Sequence, residues 1–296
     1  MHMHFLSASD LSVKDIEEIF SIADLIRENK KSFKVDKFAT LFFEKPSTRT
    51  RLSFEVAISK LGGSSSYIDP QTTHRSRGET LEDTARILGM YSDFVIARMY
   101  KHSDLNIIAE NSEAIVINAL TDLEHPTQAL ADVYTMRMFK DLKNAKISFI
   151  GDIATNTANS LMIVASRLGA KVRLVGPKGY MANKDMLKLS NEDNITITDS
   201  IKEGVSNADF IYTDTFVSMG EEKEAAKRRK LFMKYQLNSS VLKLAGENAR
   251  VMHCLPAHRG EEITKEVIDG KQSIVWEQAR NKLLLNMALI VFLSKY

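Results

Sequence analysis

Apolar residues in this chain come in short unbroken runs, and longer segments with helical spacing lie between them. The runs Phe38 to Phe43, Phe94 to Arg98, Ala114 to Leu120, Lys146 to Ile150, Val172 to Val175, Ile195 to Thr198, Asp209 to Thr213 and Arg250 to His253 read as strands, with Ser64 to Asp69 as a shorter one. A helix over Leu11 to Ile26 is announced by a capping box, Ser12 with Asp15. Another starts at Ser47 as N-cap, runs through Leu52, Phe54, Val56, Ile58 and Leu61, and ends at Gly62-Gly63. Helical spacing continues over Glu79 to Met90, Pro126 to about Phe139, Asn156 to Leu168, a helix after the Gly176–Gly179 loop, Ser200 to Ser206, Glu221 to about Tyr235 and Glu261 to Ile268. The last helix, Gln278 to Leu293, is apolar on most faces and is expected to be largely buried.

Strands alternating with helices imply parallel sheets, so the expected fold class is α/β with two domains, each a parallel sheet flanked by helices. Asp141-Leu142-Lys143-Asn144 reads as the junction, giving domains over 1–140 and 141–277. In such sheets ligands bind beyond the C-terminal ends of strands, which is where the polar residues discussed below lie.

A chain of 296 residues can fill two domains, and 44% hydrophobic with 26% charged residues suits a soluble globular protein. A formal net charge of +2 gives no reason to expect a nucleic-acid or membrane surface. The one cysteine, Cys254, excludes an intrachain disulfide and fits a reducing cytoplasm. The first residues lack the pattern of a signal peptide, and the apolar run Leu283 to Leu293 is too short to span a bilayer.

The chemistry gathers at strand ends. After Phe43, Pro46 breaks the strand and Ser47 opens a helix, whose unpaired N–H groups and dipole favour an anion. Ser47, Thr48 and Thr50 add hydroxyls, and Arg49 and Arg51 add guanidinium groups, as a phosphate requires. The alternative is a well-capped helix with a solvated basic face. Arg98 ends a strand, either as a surface arginine or as a group that stabilises charge on an oxygen. His125 precedes Pro126 at a helix start, where the dipole disfavours an imidazolium. It is therefore either a simple cap or a neutral donor to a developing oxyanion. Gly151 to Asn156 stands where a dinucleotide fingerprint would stand, but with one glycine instead of three, so no nucleotide cofactor is expected. Asn156 and Asn159 are capping candidates. Asp214 after a strand is either a turn former or an ammonium partner. His253, Cys254 and His258 do not have the spacing of a zinc site, so no metal is expected.

Taken in order, residues 43–55, 78–88, 125–136, 151–162, 214–222 and 253–260 resemble the motifs of the aspartate/ornithine carbamoyltransferase superfamily. Ser218-Met219-Gly220 and His253-Cys254-Leu255-Pro256 resemble its ornithine-specific members. The resemblance implies that the last helix, with 278–296, returns to the first domain. It also implies transfer of the carbamoyl group of carbamoyl phosphate to the δ-amine of L-ornithine, giving L-citrulline and phosphate, with no cofactor. Ser47, Thr48, Arg49 and Thr50 would then hold the phosphate. Arg49, Thr50, Arg98 and His125 would polarise the carbamoyl oxygen. Gln128 and the Leu255 carbonyl would accept from the carbamoyl NH₂, with Cys254 close by. Asn156, Asp214, Ser218 and Met219 would orient ornithine, with Asp214 and Cys254 near its δ-amine. Two positions depart from the family pattern: His74 stands where a glutamine from a neighbouring subunit is usual, with Gln71 three residues earlier as the alternative, and Lys282 stands where an arginine is, with Arg280 as the alternative. The family forms trimers, so a homo-oligomer is expected. Aspartate or putrescine as acceptor, or a phosphate-binding regulatory protein on the same fold, are the alternatives. The sequence leaves open whether the direction is arginine synthesis or breakdown.

Overall fold

The computed structural model describes residues 3–217 and 224–296. Ser218 and Met219 therefore lie outside the described residues. By contacts the chain divides into two compact units, Met1–Ala131 with Asn281–Tyr296, and Asp132–Arg280.

The first unit opens with α1 (Val13–Arg27), capped by the Ser12–Asp15 box. Strand β1 (Phe38–Phe43) follows, then α2 (Thr48–Lys60), β2 (Ser64–Ile68), α3 (Leu81–Tyr91), β3 (Phe94–Arg98), α4 (His102–Asn111) and β4 (Ile115–Leu120). The strands form a parallel sheet in the order β2-β1-β3-β4. The central strands are buried on both faces, as their unbroken apolar runs require. Register places Phe43 beside Arg98, and Arg98 beside Leu120. The turn after Phe43, Arg98 itself and the segment leading to His125 therefore leave the sheet along one edge. Between β2 and α3, residues 70–77 form two short 3₁₀ turns, Pro70–Thr72 and His74–Arg77.

Helix α2 corrects the sequence reading. Thr50, Phe54, Ala57, Ile58 and Leu61 are buried, whereas Leu52 and Val56 are exposed. Alternate positions such as 52, 54 and 56 cannot share one face of a 3.6-residue helix, so only part of the expected set packs inward.

The chain crosses from the first unit to the second inside α5 (Pro126–Arg137) and returns inside α12 (Val275–Leu293). The second unit contains β5 (Lys146–Ile150), α6 (Asn156–Arg167), β6 (Lys171–Val175), α7 (Lys184–Lys188), β7 (Ile195–Thr198), α8 (Ile201–Val205), β8 (Phe210–Thr213), α9 (Ala225–Phe232), α10 (Ser239–Ala245), β9 (Arg250–His253) and α11 (Lys265–Ile268). Its parallel sheet runs β7-β6-β5-β8-β9. The ends of β5, β8 and β9 are adjacent there, and Thr213 pairs with His253. The expected charged helix from Glu221 is seen from Ala225, its first three residues lying outside the described ones. The expected helix from Glu261 is only Lys265–Ile268, because Arg259 and Ile263 form a β-bridge instead. Helix α12 starts three residues earlier than its apolar pattern suggested, with Trp276 63% exposed in its first turn. Among the described residues no helix is long and apolar enough to cross a membrane.

Candidate functional site

In the first unit, Ser47 caps α2, its Oγ accepting from the Thr50 N–H at 3.3 Å. The first turn of α2 carries no acid, so its positive dipole end is left for an anion. Thr48 and Arg49 stand exposed at this start, Ser47 is half-buried and Thr50 buried. Arg51, the second guanidinium of the motif, points elsewhere. Its Nε donates to Glu55 Oε1 at 2.9 Å and its guanidinium stacks 3.8 Å from the Tyr67 ring centroid.

Residues distant in sequence meet beside this turn. Lys282, on α12, donates from Nζ to Gln128 Oε1 at 2.7 Å and to Thr50 Oγ1 at 3.2 Å. His125 Nε2 lies 3.4 Å from the same Nζ. The His125 carbonyl accepts the first N–H groups of α5, from Gln128 and Ala129, so His125 occupies the cap position. Burial above all, then the neighbouring Lys282 and Arg98 cations, hold its imidazole well below the usual histidine range. The neutrality expected from the helix start is thus reached mainly by burial. Arg98 is buried at the end of β3. His74 is exposed in its 3₁₀ turn, and Gln71 is exposed in the turn before it.

The second unit presents acids at its strand ends. Asp214 follows β8, and its Oδ1 accepts from Cys254 Sγ at 3.1 Å and from the Thr215 N–H at 2.8 Å. Asn156 is the first residue of α6, but Thr155 is the cap, accepting from the Ala158 N–H. Asn156 is half-buried, while Asn159 is buried inside the helix. Gly151 has φ of 121°, and a Cβ there would lie 3.3 Å from the Phe216 ring. This glycine serves packing, not close approach of a phosphate.

Further partners join this edge, and of these Asp152, Arg228, Glu262, Gln278 and Tyr212 were not singled out from sequence. Asp152 is buried and paired with the guanidinium of Arg228, whose Nε donates to the Phe216 carbonyl at 2.9 Å. Leu255, at φ 58°, donates its N–H to His253 Nδ1 at 2.8 Å. That ring nitrogen is therefore an acceptor, and the proton sits on Nε2, which donates to buried Glu262 Oε1 at 3.2 Å. Behind this loop, Gln278 Oε1 accepts the His253 N–H, and Gln278 Nε2 donates to Asp132 Oδ1 at 2.7 Å. Tyr212 donates to Asp132 Oδ2 at 2.9 Å. Burial first, then the charge of Asp132, pushes its phenol well above the usual range. These links join residues up to 146 positions apart, and no local pattern signals them.

Among the described residues two groups of side chains bring potential metal-ligand atoms within 4.8 Å of one another: Asp214, His253 and Cys254, and His258, Glu261 and Glu262. In the first, both His253 nitrogens have partners and the thiol donates to Asp214. In the second, Glu262 already accepts from His253 and from the His258 N–H. Neither group offers a set of converging unengaged donors.

Comparison with known proteins agrees across the whole chain. The carbamoyl-P binding domain of aspartate/ornithine carbamoyltransferase matches residues 3–138, and the Asp/Orn binding domain matches residues 143–293. An ornithine carbamoyltransferase of Pyrobaculum aerophilum is 43% identical over 308 residues, covering 99% of each chain. One from Pyrobaculum islandicum is 46% identical over 265 residues, covering 88% of this chain and 87% of its own. Among solved structures, ornithine carbamoyltransferase from Pyrococcus furiosus superposes with a TM-score of 0.92 at 39% identity, covering 97% of this chain and 96% of that one. The anabolic ornithine carbamoyltransferase of Campylobacter jejuni gives 0.93 at 36% identity, with 99% of both chains covered. Two family domains matched in order, and relatives this similar over their full length, place the chain in the aspartate/ornithine carbamoyltransferase family.

Proposed function

We propose that the protein transfers the carbamoyl group of carbamoyl phosphate to the δ-amine of L-ornithine, giving L-citrulline and phosphate. The observation that carries this reading is the convergence of Thr50, His125, Gln128 and Lys282 beside a capped, acid-free helix start. Such a set provides a cation and a hydroxyl for a phosphate, a neutral imidazole for a carbonyl oxygen, and an amide oxygen for an NH₂.

In this reading the unit of 1–140 with 278–296 binds carbamoyl phosphate, and 141–277 binds ornithine. Ser47, Thr48, Arg49 and Thr50 hold the phosphate at the start of α2. Arg49, Thr50, Arg98, His125 and Lys282 draw electron density onto the carbamoyl oxygen and stabilise the tetrahedral oxyanion. A donor of this kind is worth about 2.7–4 kcal/mol of barrier. Gln128 and the Leu255 carbonyl accept from the carbamoyl NH₂, which fixes the plane of the group. Asn156, Asp214, Ser218 and Met219 orient the amino-acid end of ornithine. Asp214 and Cys254 face the δ-amine, which attacks once neutral. The C–O bond to phosphate breaks, and the departing phosphate takes the proton. Orientation can supply about 7–11 kcal/mol, so the chemistry asks for neither metal nor cofactor.

The same reading makes the protein a homo-oligomer, most simply a trimer, working in the cytoplasm in arginine metabolism. His74, exposed on its turn, would serve a neighbouring subunit.

The test is product formation from carbamoyl phosphate with ornithine, aspartate and putrescine offered separately, repeated with Arg49→Ala. Citrulline from ornithine alone, reduced about 10²–10³-fold in the variant, is the expected result. Turnover with another amine instead would overturn the ornithine half and leave the carbamoyl half standing.

A further inference from the structure

Lys282 differs chemically from the groups around it. It is a primary amine, 6% exposed, within hydrogen-bond reach of Gln128 Oε1 and Thr50 Oγ1 and 3.4 Å from His125 Nε2. In the proposed reading those same three side chains seat the carbamoyl group. A group seated on them would stand beside Nζ, and attack needs a separation of about 3–3.5 Å. An arginine, the residue of the family pattern, remains charged and offers no nucleophilic lone pair there. A lysine is a nucleophile whenever it is neutral.

We infer that Lys282 is a second acceptor of the carbamoyl group, a self-carbamoylation site within the carbamoyl-phosphate pocket. Nζ, a cation at rest, first gives one proton to the phosphate of the bound carbamoyl phosphate; the amine, then neutral, attacks the carbamoyl carbon, a C–N bond forms, and the C–O bond to phosphate breaks. Phosphate leaves with the electron pair and takes the second proton shed by Nζ. The product is a carbamoyl-lysine, an uncharged urea, and inorganic phosphate. The pocket then loses a cation and fills with the urea, so the modified protein no longer binds its substrate. Ornithine protects by drawing the carbamoyl group away. The modification therefore accumulates when carbamoyl phosphate is present and the acceptor is scarce. This inference rests on the reading of the first unit as the carbamoyl-phosphate site.

The experiment incubates the full chain with carbamoyl phosphate alone, with carbamoyl phosphate and ornithine, and with cyanate, which carbamoylates any accessible amine. Intact mass and peptide mapping locate the added group, and citrulline is assayed in parallel. With carbamoyl phosphate alone, Lys282 should gain one carbamoyl group at least about tenfold faster than exposed lysines such as Lys178, as placement beside the substrate requires. Ornithine should suppress this labelling, and cyanate should favour the exposed lysines. Lys282→Arg, shown folded by circular dichroism, should acquire no label at residue 282. Citrulline formation with Lys282 unmodified would overturn the inference and leave the functional reading intact. Labelling of Lys282 no faster than of Lys178 would overturn it as well. Labelling at Lys282 without citrulline would support it while removing ornithine as the acceptor. Neither label nor citrulline would overturn both.

Discussion

The two units share one device and use it with opposite sign. In each, parallel strands end along one edge and a helix begins just beyond, at Ser47 in the first and Thr155 in the second. The first edge gathers cations: Arg49, Arg98 and Lys282, beside a histidine held neutral. The second gathers acids, Asp152, Asp214 and Glu262, each already engaged with a guanidinium, a thiol or an imidazole. Backbone geometry alone therefore does not choose the ligand. Side chains on the turns do, and here they make one edge cationic and the other acidic.

The comparison breaks most severely at the buried pair. Arg228→Ala should leave Asp152 charged and buried, costing about 3–5 kcal/mol in a denaturant titration. A loss below 1 kcal/mol would mean that the pair is not what fixes this edge. On the cationic edge, His125→Ala should lower kcat about 10²–10³-fold, equivalent to 2.7–4 kcal/mol, with little change in ornithine KM. Asp214→Asn should act in the opposite manner. A lost hydrogen bond to a charged group is worth about 1.5–3 kcal/mol, so ornithine KM should rise roughly 10–150-fold while carbamoyl-phosphate KM holds. Equal effects on both substrates would blur the assignment of one edge to each.

The smallest effect concerns protons. The His125 imidazole titrates well below its unfolded value of about 6.5. Above that pH it is neutral in both states and adds nothing to pH dependence. Below it the unfolded chain binds a proton that the folded chain refuses. Stability from this group should therefore fall by about 1.4 kcal/mol per pH unit, until the folded value is reached. Urea midpoints at pH 7.5 and 5.5, compared with His125→Asn, would measure it, and identical slopes would exclude His125 as the source.

Much of this was legible in the chain. β1, β3 and β5 fall where their apolar runs predicted, because strands buried on both faces need no partner information to be recognised. The polar strand ends were legible for the same reason: a charge directly after such a run has little else to do. Helices α4 and α10 were not read, since α4 buries only Leu105, Ile108 and Ala109 among polar neighbours, and α10 only Val241 and Ala245. Alternating apolar residues in α2 misled in the other direction. At the site, sequence named Lys282 and His125 but not that burial keeps the histidine neutral. It counted Arg51 among the guanidinium groups of the turn, and Tyr67 and Glu55 engage that one. Arg228 with Asp152, 76 positions apart, could not be paired by any local rule.

The first turn of α12 carries the chain's only tryptophan, and that indole is mostly in water already. Its emission should differ little between folded and unfolded protein, so intrinsic fluorescence would be nearly blind to the transitions described above. The eight tyrosines, several of them fully buried, and the far-ultraviolet signal of the helices are the sensitive reporters for this fold. Conversely, an indole so placed responds to whatever comes to cover that turn. A blue shift that grows with protein concentration would mark Trp276 as part of a surface between copies.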